Sequence, residues 1–443
     1  MSHVPRYRGR FGPDQARRLL WRAGFGPRPG EAERLAGHGL DRAVHALTHP
    51  RSRRLNGPRP HDQDGNPLAP RDAWGHDHCW WLDRMVRAEA QLVERMTLVW
   101  HDWFATSKAA ATQGLMLRQN ALLRRHALGS FEALALAVTR DPAMLLWLNG
   151  VDNRKDDVNE NYARELMELF TLGAGRGYAE RDVRQMARAL TGFRYEWSEG
   201  LGPHGFRYDP ALHDNGVKRI HGRSGRFDWR DAVRLSVRNK RHPSFLVTKL
   251  WGYFIPTPPP RGTARALERM YVAHGRQVRP LLDAILRHPH LYDPDRRMVK
   301  PPVVQAAGML RAVGRGIDTD AWSWLCDQAG QMLFEPPNVS GWDDTRWLDT
   351  ATFRARWQMA AEICDPARLP DGAKASGKPA ELVRRAAGFW STPLSRTTQA
   401  ALERYAARAM ATADEPWKRS AYPVLTENAL RMLVAVSPDY LTS

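Results

Sequence analysis

The chain has 443 residues, 43% hydrophobic and 26% charged, which makes it globular rather than disordered; its 17 Trp exclude a low-complexity or collagen-like chain. Lys+Arg 66 against Asp+Glu 48 gives a net charge of +18, which favours anionic partners, although only nine of the 66 are Lys and a GC-rich genome also produces such an Arg bias. Three cysteines (Cys79, Cys326, Cys364) are too few for a disulfide framework and form no CxxC. No apolar run approaches the ~20 residues of a membrane span. The polar, basic stretch Met1–Arg10 leads into Phe11-Gly12-Pro13 rather than an apolar segment, so a cytoplasmic protein is expected.

Helical periodicity dominates from the start. Asp14 to Trp21 has an acidic first turn and presents Ala16, Leu19 and Leu20 on one face, and Gly24, Gly26 and Gly30 end it before a second helix opens at Glu31. Residues 51–70, rich in Arg, Pro, Gly, Asn and Asp, read as an irregular insertion. Asp72 to Phe104 reads as one long helix or two end to end, followed by Leu115–Ala127, Phe131–Thr139 and a short helix capped by Asp141 with Pro142 in its first turn. Asn159 to Leu172 is the clearest helix and is stopped by Gly173, Gly175 and Gly177. Glu180–Leu190 follows. Residues 193–227 lose the pattern, with Phe206–Tyr208 and Lys218–Ile220 as the two short strands of a hairpin. Helices resume at 231–239, 244–254, 262–273, 277–287, 301–313 and 319–329. A second irregular stretch, 334–350, precedes three closing helices. The expected fold is a mainly α, multi-helix globule over 1–443, with two long irregular loop regions and at most a short β-hairpin.

The helix from Asn159 carries a polar stripe. At 100° per residue, Glu160, Asn161, Arg164, Glu165 and Glu168 share one sector, and Tyr162, Ala163, Leu166, Met167, Leu169 and Phe170 fill the rest. So wide an apolar sector calls for burial on most sides, with the stripe facing a cleft. Two carboxylates at i, i+3 can ligate a divalent metal or divide acid and base roles. The same stripe also reads as a solvated face of ion pairs, since Arg164 stands four residues from both Glu160 and Glu168.

Three histidine sites stand out. His101, in Trp100-His101-Asp102-Trp103-Phe104, is flanked by aromatic residues and reads as a ligand, a base or a satisfied core histidine. His126, after Arg124-Arg125, suits a helix C-terminus without any further role. His213-Asp214-Asn215-Gly216-Val217-Lys218 sits in the non-helical region, where Asn215-Gly216 signals a tight turn and leaves His213 and Asp214 exposed and rigidly held. His76-Asp77-His78-Cys79 has no second pair at zinc spacing. There is no GxSxG, P-loop, HExxH or kinase set, and Gly173-Ala174-Gly175-Arg176-Gly177 follows a helix, not a strand.

Several of these strings together resemble the bacterial domain-of-unknown-function 1800 family. They are Arg22-Ala23-Gly24-Phe25-Gly26, Trp100 to Ala105, Asp141 to Leu145, Asn159 to Gly173, Ala187 to Gly192, His213 to Lys218 and Pro336-Pro337-Asn338-Val339-Ser340-Gly341-Trp342. The likeness runs over residues 14–435. It implies a helical protein whose relatives are often exported and often encoded beside a second uncharacterised protein of sulfatase-like appearance. The chain departs from the family in having no visible export signal, and in carrying Trp342-Asp343-Asp344-Thr345 where a Pro/Gly-rich turn is usual.

Two functional readings follow. The first is an enzyme, with a cleft roofed by residues 193–227 and 334–350 and acid–base or metal-assisted hydrolysis by Glu165, Glu168, His213 and Asp214. His101, Glu165 and Glu168 would be the ligands of a divalent metal. Asn161, Arg164 and Lys218 would bind an anionic group, and Trp342 and Trp347 would stack on a sugar or other flat ligand. The second is a non-catalytic binding or scaffold protein whose basic surface engages an acidic small molecule, polymer or partner protein. Nothing resembles a nucleic-acid module.

Overall fold

The structure, a computed structural model, describes residues 4–370, 372–375 and 377–443; residues 1–3 of the Met1–Arg10 stretch lie outside the described residues. Helix accounts for 55% of the chain and the strands form two small antiparallel pairs, so the class is mainly α.

In chain order, α1 (Pro13–Ala23), α2 (Glu31–Thr48) and α3 (His76–Arg87) come first. Next are α4 (Gln91–Trp103), α5 (Gln113–His126), α6 (Phe131–Thr139), α7 (Pro142–Trp147), α8 (Asn161–Glu165) and α9 (Glu180–Ala189). The strands are β1 (Phe193–Ser198), β2 (Gly202–Tyr208), β3 (Lys218–Ile220) and β4 (Arg223–Gly225). They are followed by α10 (Trp229–Val237), α11 (His242–Gly252), α12 (Arg261–Ala273), α13 (Val278–Leu286), α14 (Pro289–Tyr292), α15 (Pro302–Val313) and α16 (Ala321–Gln328). The chain closes with α17 (Thr350–Cys364), α18 (Pro379–Phe389), α19 (Arg396–Ala411), α20 (Pro416–Ala435) and the single turn α21 (Pro438–Leu441), more helices than the three expected. The strand pairing also differs from the expected hairpin: β1 pairs with β2, and β3 pairs with β4 across the two-residue turn His221-Gly222. Phe206–Tyr208 and Lys218–Ile220 therefore belong to separate hairpins.

The chain divides into two compact units, each built from separated segments: residues 1–7, 92–289 and 333–342, and residues 8–91, 290–332 and 343–443. In the first, Trp100, Trp103, Phe104, Phe131 and Phe170 form a buried aromatic cluster with ring centroids 5.0–6.5 Å apart. In the second, α15 is buried along its length and packs on α3, with Gly308 giving room for the Trp21 ring. There the Lys300 ammonium lies 3.6 Å from the centroid of Trp21 and 4.4 Å from that of Tyr440, and it donates to the Tyr440 carbonyl.

The helix expected from Asn159 to Leu172 is not one α-helix. It is α for Asn161–Glu165 and π for Leu166–Thr171, with Leu172 N–H donating to the Met167 carbonyl five residues back. Widening the turn leaves the last carbonyls short of intrahelical donors, and side chains from elsewhere in the same unit supply them. Lys249 Nζ donates to Leu169 O at 3.1 Å, Trp103 Nε1 to Phe170 O at 3.0 Å and His242 Nδ1 to Thr171 O at 2.8 Å. Thr171 Oγ1 also donates to Leu166 O. Because His242 Nδ1 donates, its Nε2 accepts from the Tyr271 hydroxyl at 2.9 Å, which fixes the neutral tautomer. Gly173, Gly175 and Gly177 then end the helix at positive φ, as their spacing predicts.

Candidate functional site

The polar stripe on α8 and its π extension is largely an ion-pair network. Arg164 bonds Glu160 at 3.2 Å and Glu180 of α9 at 2.8 Å, and lies 3.5 Å from Glu168. Three carboxylates around one guanidinium leave Arg164 little capacity for a ligand anion. Asn161 Nδ2 donates to Asn149 Oδ1 at 3.0 Å. Glu165 differs from its neighbours: it is half-buried and neither hydrogen-bonded nor ion-paired among the described residues. Desolvation, and then the charge of Glu168, push its carboxyl above the usual range, with Arg164 opposing.

The His213–Lys218 loop is a closed hydrogen-bonded clamp on α9, and His213 is buried rather than exposed as the Asn-Gly signal suggested. Its Nδ1 faces the Thr191 carbonyl at 3.0 Å and hydroxyl at 3.1 Å, and burial lowers its pKa. Asp214 takes a two-pronged bond from Arg188, at 2.6 and 3.2 Å, and accepts from Gly216 N. The Lys218 ammonium, fully covered, donates to the carbonyls of Asp214 and Gly216, and desolvation lowers its pKa.

His101 is buried, with Phe334 and Trp342 ring centroids 5.8 and 5.4 Å away, and burial lowers its pKa to about 3. Beside it, Asp102 accepts from Trp342 N at 2.9 Å and from the Tyr253 hydroxyl at 2.6 Å, pinning the 334–342 segment to the end of α4. Gly341 has φ +94 and lies against Asp102, where a side chain would clash. Trp347 belongs to the other unit, where its carbonyl accepts from Arg356 at 2.8 Å. Among the described residues no group of three His, Cys, Asp or Glu is gathered closely enough to hold a metal ion, so His101, Glu165 and Glu168 are not brought together as a ligand set.

A feature that sequence reasoning missed lies on the far flank of α9. A groove of about 1050 Å³ opens between α9, the β3–β4 hairpin, α10 and the residues leading into α11. Eight of its lining residues are Lys or Arg and two are Asp. Both acids have structural roles: Asp182 accepts from Ala179 N at the start of α9 and from His221 N, and Asp231 accepts from Asp228 N, closing a capping box at the start of α10. Arg234 and Arg238 pair with Glu132. Arg181, Arg219, Arg223, Lys240 and Arg241 have no acidic partner among the described residues. Of the ten side chains expected at a site, Lys218 lines this groove. The run Arg238-Asn239-Lys240-Arg241 was the one local signal available, and it reads as an ordinary helix junction.

A family model for proteins of unknown function, DUF1800, matches residues 18–442, close to the 14–435 span of the resemblance. The chain belongs to the DUF1800 family. No curated protein and no solved structure matches it. The membership carries no assigned activity, so the chemistry of this DUF1800 chain rests on its own side chains. No described helix is long and apolar enough to cross a membrane.

The Glu165 environment gives a testable sign. A carboxyl whose folded pKa is raised contributes stability that is present below its ordinary value of 4.5 and is lost as pH rises through the folded value. Glu165→Gln in this DUF1800 chain should therefore be neutral or slightly stabilising near pH ~7. Glu168→Gln removes a partner from a part-exposed Arg164 and should cost no more than about 1 kcal/mol. Urea titrations of both variants check this, and a clear loss of stability for Glu165→Gln would mean that its carboxylate is held by a bond.

Proposed function

We propose that the chain is a binding protein for an anionic ligand, a small polyanion or an acidic polymer bearing oxyanion groups, and that the ligand sits in the groove beside α9. The observation that carries this reading is five cationic side chains without acidic partners around one cavity whose two aspartates are already engaged in helix caps. Cations held close together without counterions repel one another, and a bound polyanion relieves that repulsion. The volume, at the upper end for ligand pockets, suits a molecule with several charged groups.

The test is equilibrium binding of a sulfated oligosaccharide at low salt. Arg219→Glu with Arg223→Glu should weaken it by about tenfold or more, because each exposed charge contributes up to about 1 kcal/mol and reversal adds repulsion. Arg404→Glu with Arg408→Glu, on α19 and not among the groove's lining residues, should change it little. Equal losses for the two pairs would reduce the binding to a property of net charge and remove the groove from it. Binding should also fall away as salt is raised to a few hundred millimolar.

A second reading, acid–base hydrolysis, rests on Glu165 alone: a half-buried carboxyl without a bonding partner, beside a π-helical turn of the kind that often accompanies function. Under it, Glu165→Gln abolishes turnover while the fold is kept, and the divalent metal would be sought by elemental analysis of the purified protein.

A further inference from the structure

The β3–β4 hairpin turns on His221 and Gly222, both at positive φ (49° and 80°), the signature of a type I′ turn. Gly, Asn and Asp favour the first of these positions because a larger L side chain is strained there. His221 occupies it nonetheless, and it lines the groove. Both ring nitrogens are shielded from solvent and bonded to nothing among the described residues. A strained backbone and two buried polar atoms without partners are two separate costs at one residue, and packing alone explains neither.

We infer that His221 is the group in the groove that contacts the ligand directly, and that it takes up a proton as the anion binds. This rests on the anion-binding reading above. Rotation of the ring about χ1 breaks no side-chain hydrogen bond, and it gains one when a nitrogen turns to an oxyanion. Charged and titratable groups line the groove on every element around the ring, and Asp182 is the one that acts on it directly. Lys218, Arg219 and Arg223 lie on its own strands, and Arg181 and Asp182 on α9. Asp231 and Arg234 lie on α10, with Arg238, Lys240 and Arg241 after it. Asp182, the acid beside the ring, accepts from the His221 backbone N–H at 2.9 Å. With burial disfavouring its charge, the ring is neutral near neutral pH in the free protein. A bound polyanion reverses that balance, so one proton enters with it and affinity rises as pH falls.

Sucrose octasulfate is a suitable probe because its sulfate charge does not change across the histidine range, so any pH dependence belongs to the protein. Its affinity for the full chain, measured calorimetrically at low salt, should fall roughly fivefold between about pH 5.5 and about pH 7.5, most of the roughly tenfold limit set by a one-unit pKa shift on binding. His221→Asn suits the turn, keeps a polar side chain and does not titrate; it should bind with a flat pH profile and melt no lower than the wild type. If His221→Asn reproduces the wild-type pH profile and affinity, His221 is not the contact, while the anion-binding reading stands. If the wild type does not bind the octasulfate at all, the anion-binding reading fails and takes this inference with it.

Discussion

Leu166→Ala should cost roughly 3–5 kcal/mol, the upper part of the range for a buried leucine truncation. The side chain is fully buried at the first residue of the π turn, which packs on α10 and α11. The cost of such a truncation depends on how far the surroundings can close over the cavity. Here they are held: Lys249, Trp103 and His242 fix the next carbonyls of the turn from other helices. A urea titration should show a lower midpoint at unchanged slope. A loss below about 1 kcal/mol would mean that the turn relaxes and that its side-chain clamps are weak.

Acidification should destabilise the unit formed by residues 1–7, 92–289 and 333–342 by roughly 2–3 kcal/mol between about pH 7 and about pH 5. Burial lowers His101 to about 3 and His242 to about 4, from an ordinary 6.5. A group whose folded pKa is depressed contributes stability that is present above its unfolded pKa and is lost as pH falls towards the folded one. At pH ~5 each histidine has given up about 2 kcal/mol, at about 1.4 kcal/mol per unit. Asp141 opposes them: burial raises its carboxyl to about 6, so acid relieves its charge and returns a little over 1 kcal/mol on the same scale. Thermal melts across this range measure the slope. His242→Gln should remove about 2 kcal/mol of the dependence whatever it does to stability at neutral pH, and an unchanged slope would show that His242 is not buried neutral.

Much of the helical content was legible. Phe131–Thr139 ends where its apolar period ends, and Asp141 caps α7 through Met144 N at 3.2 Å, as the Asp-Pro pair predicts. These are local rules, set by residues within one turn. The π turn was not legible, because the residues of Leu166–Thr171 suit either helix. The choice is made by donors 67 to 80 residues away in sequence. The expected site residues were recognisable as polar groups in apolar surroundings, but their partners were not: Glu180 for Arg164, Arg188 for Asp214 and Thr191 for His213. The groove was hidden for the opposite reason. Its cations come one to three at a time from α9, β3, β4, α10 and the α10–α11 junction, and in a chain with 66 basic residues no one group stands out.

The interleaving of the two units has a consequence for how the molecule is made. The chain passes from one unit to the other after residues 7, 91, 289, 332 and 342. On the ribosome, α1 to α3 emerge early, yet α15, which covers α3, is not translated until nearly two hundred residues of the other unit have been. The face of α3 that α15 covers stays open through that interval, which lasts tens of seconds at ordinary elongation rates. The 92–289 unit can collapse meanwhile, but it lacks its last piece, the 334–342 segment that Asp102 holds, until late in synthesis. A nascent chain stalled near residue 300 would therefore be a chaperone client at both ends, and no single cut in the gene yields either unit whole.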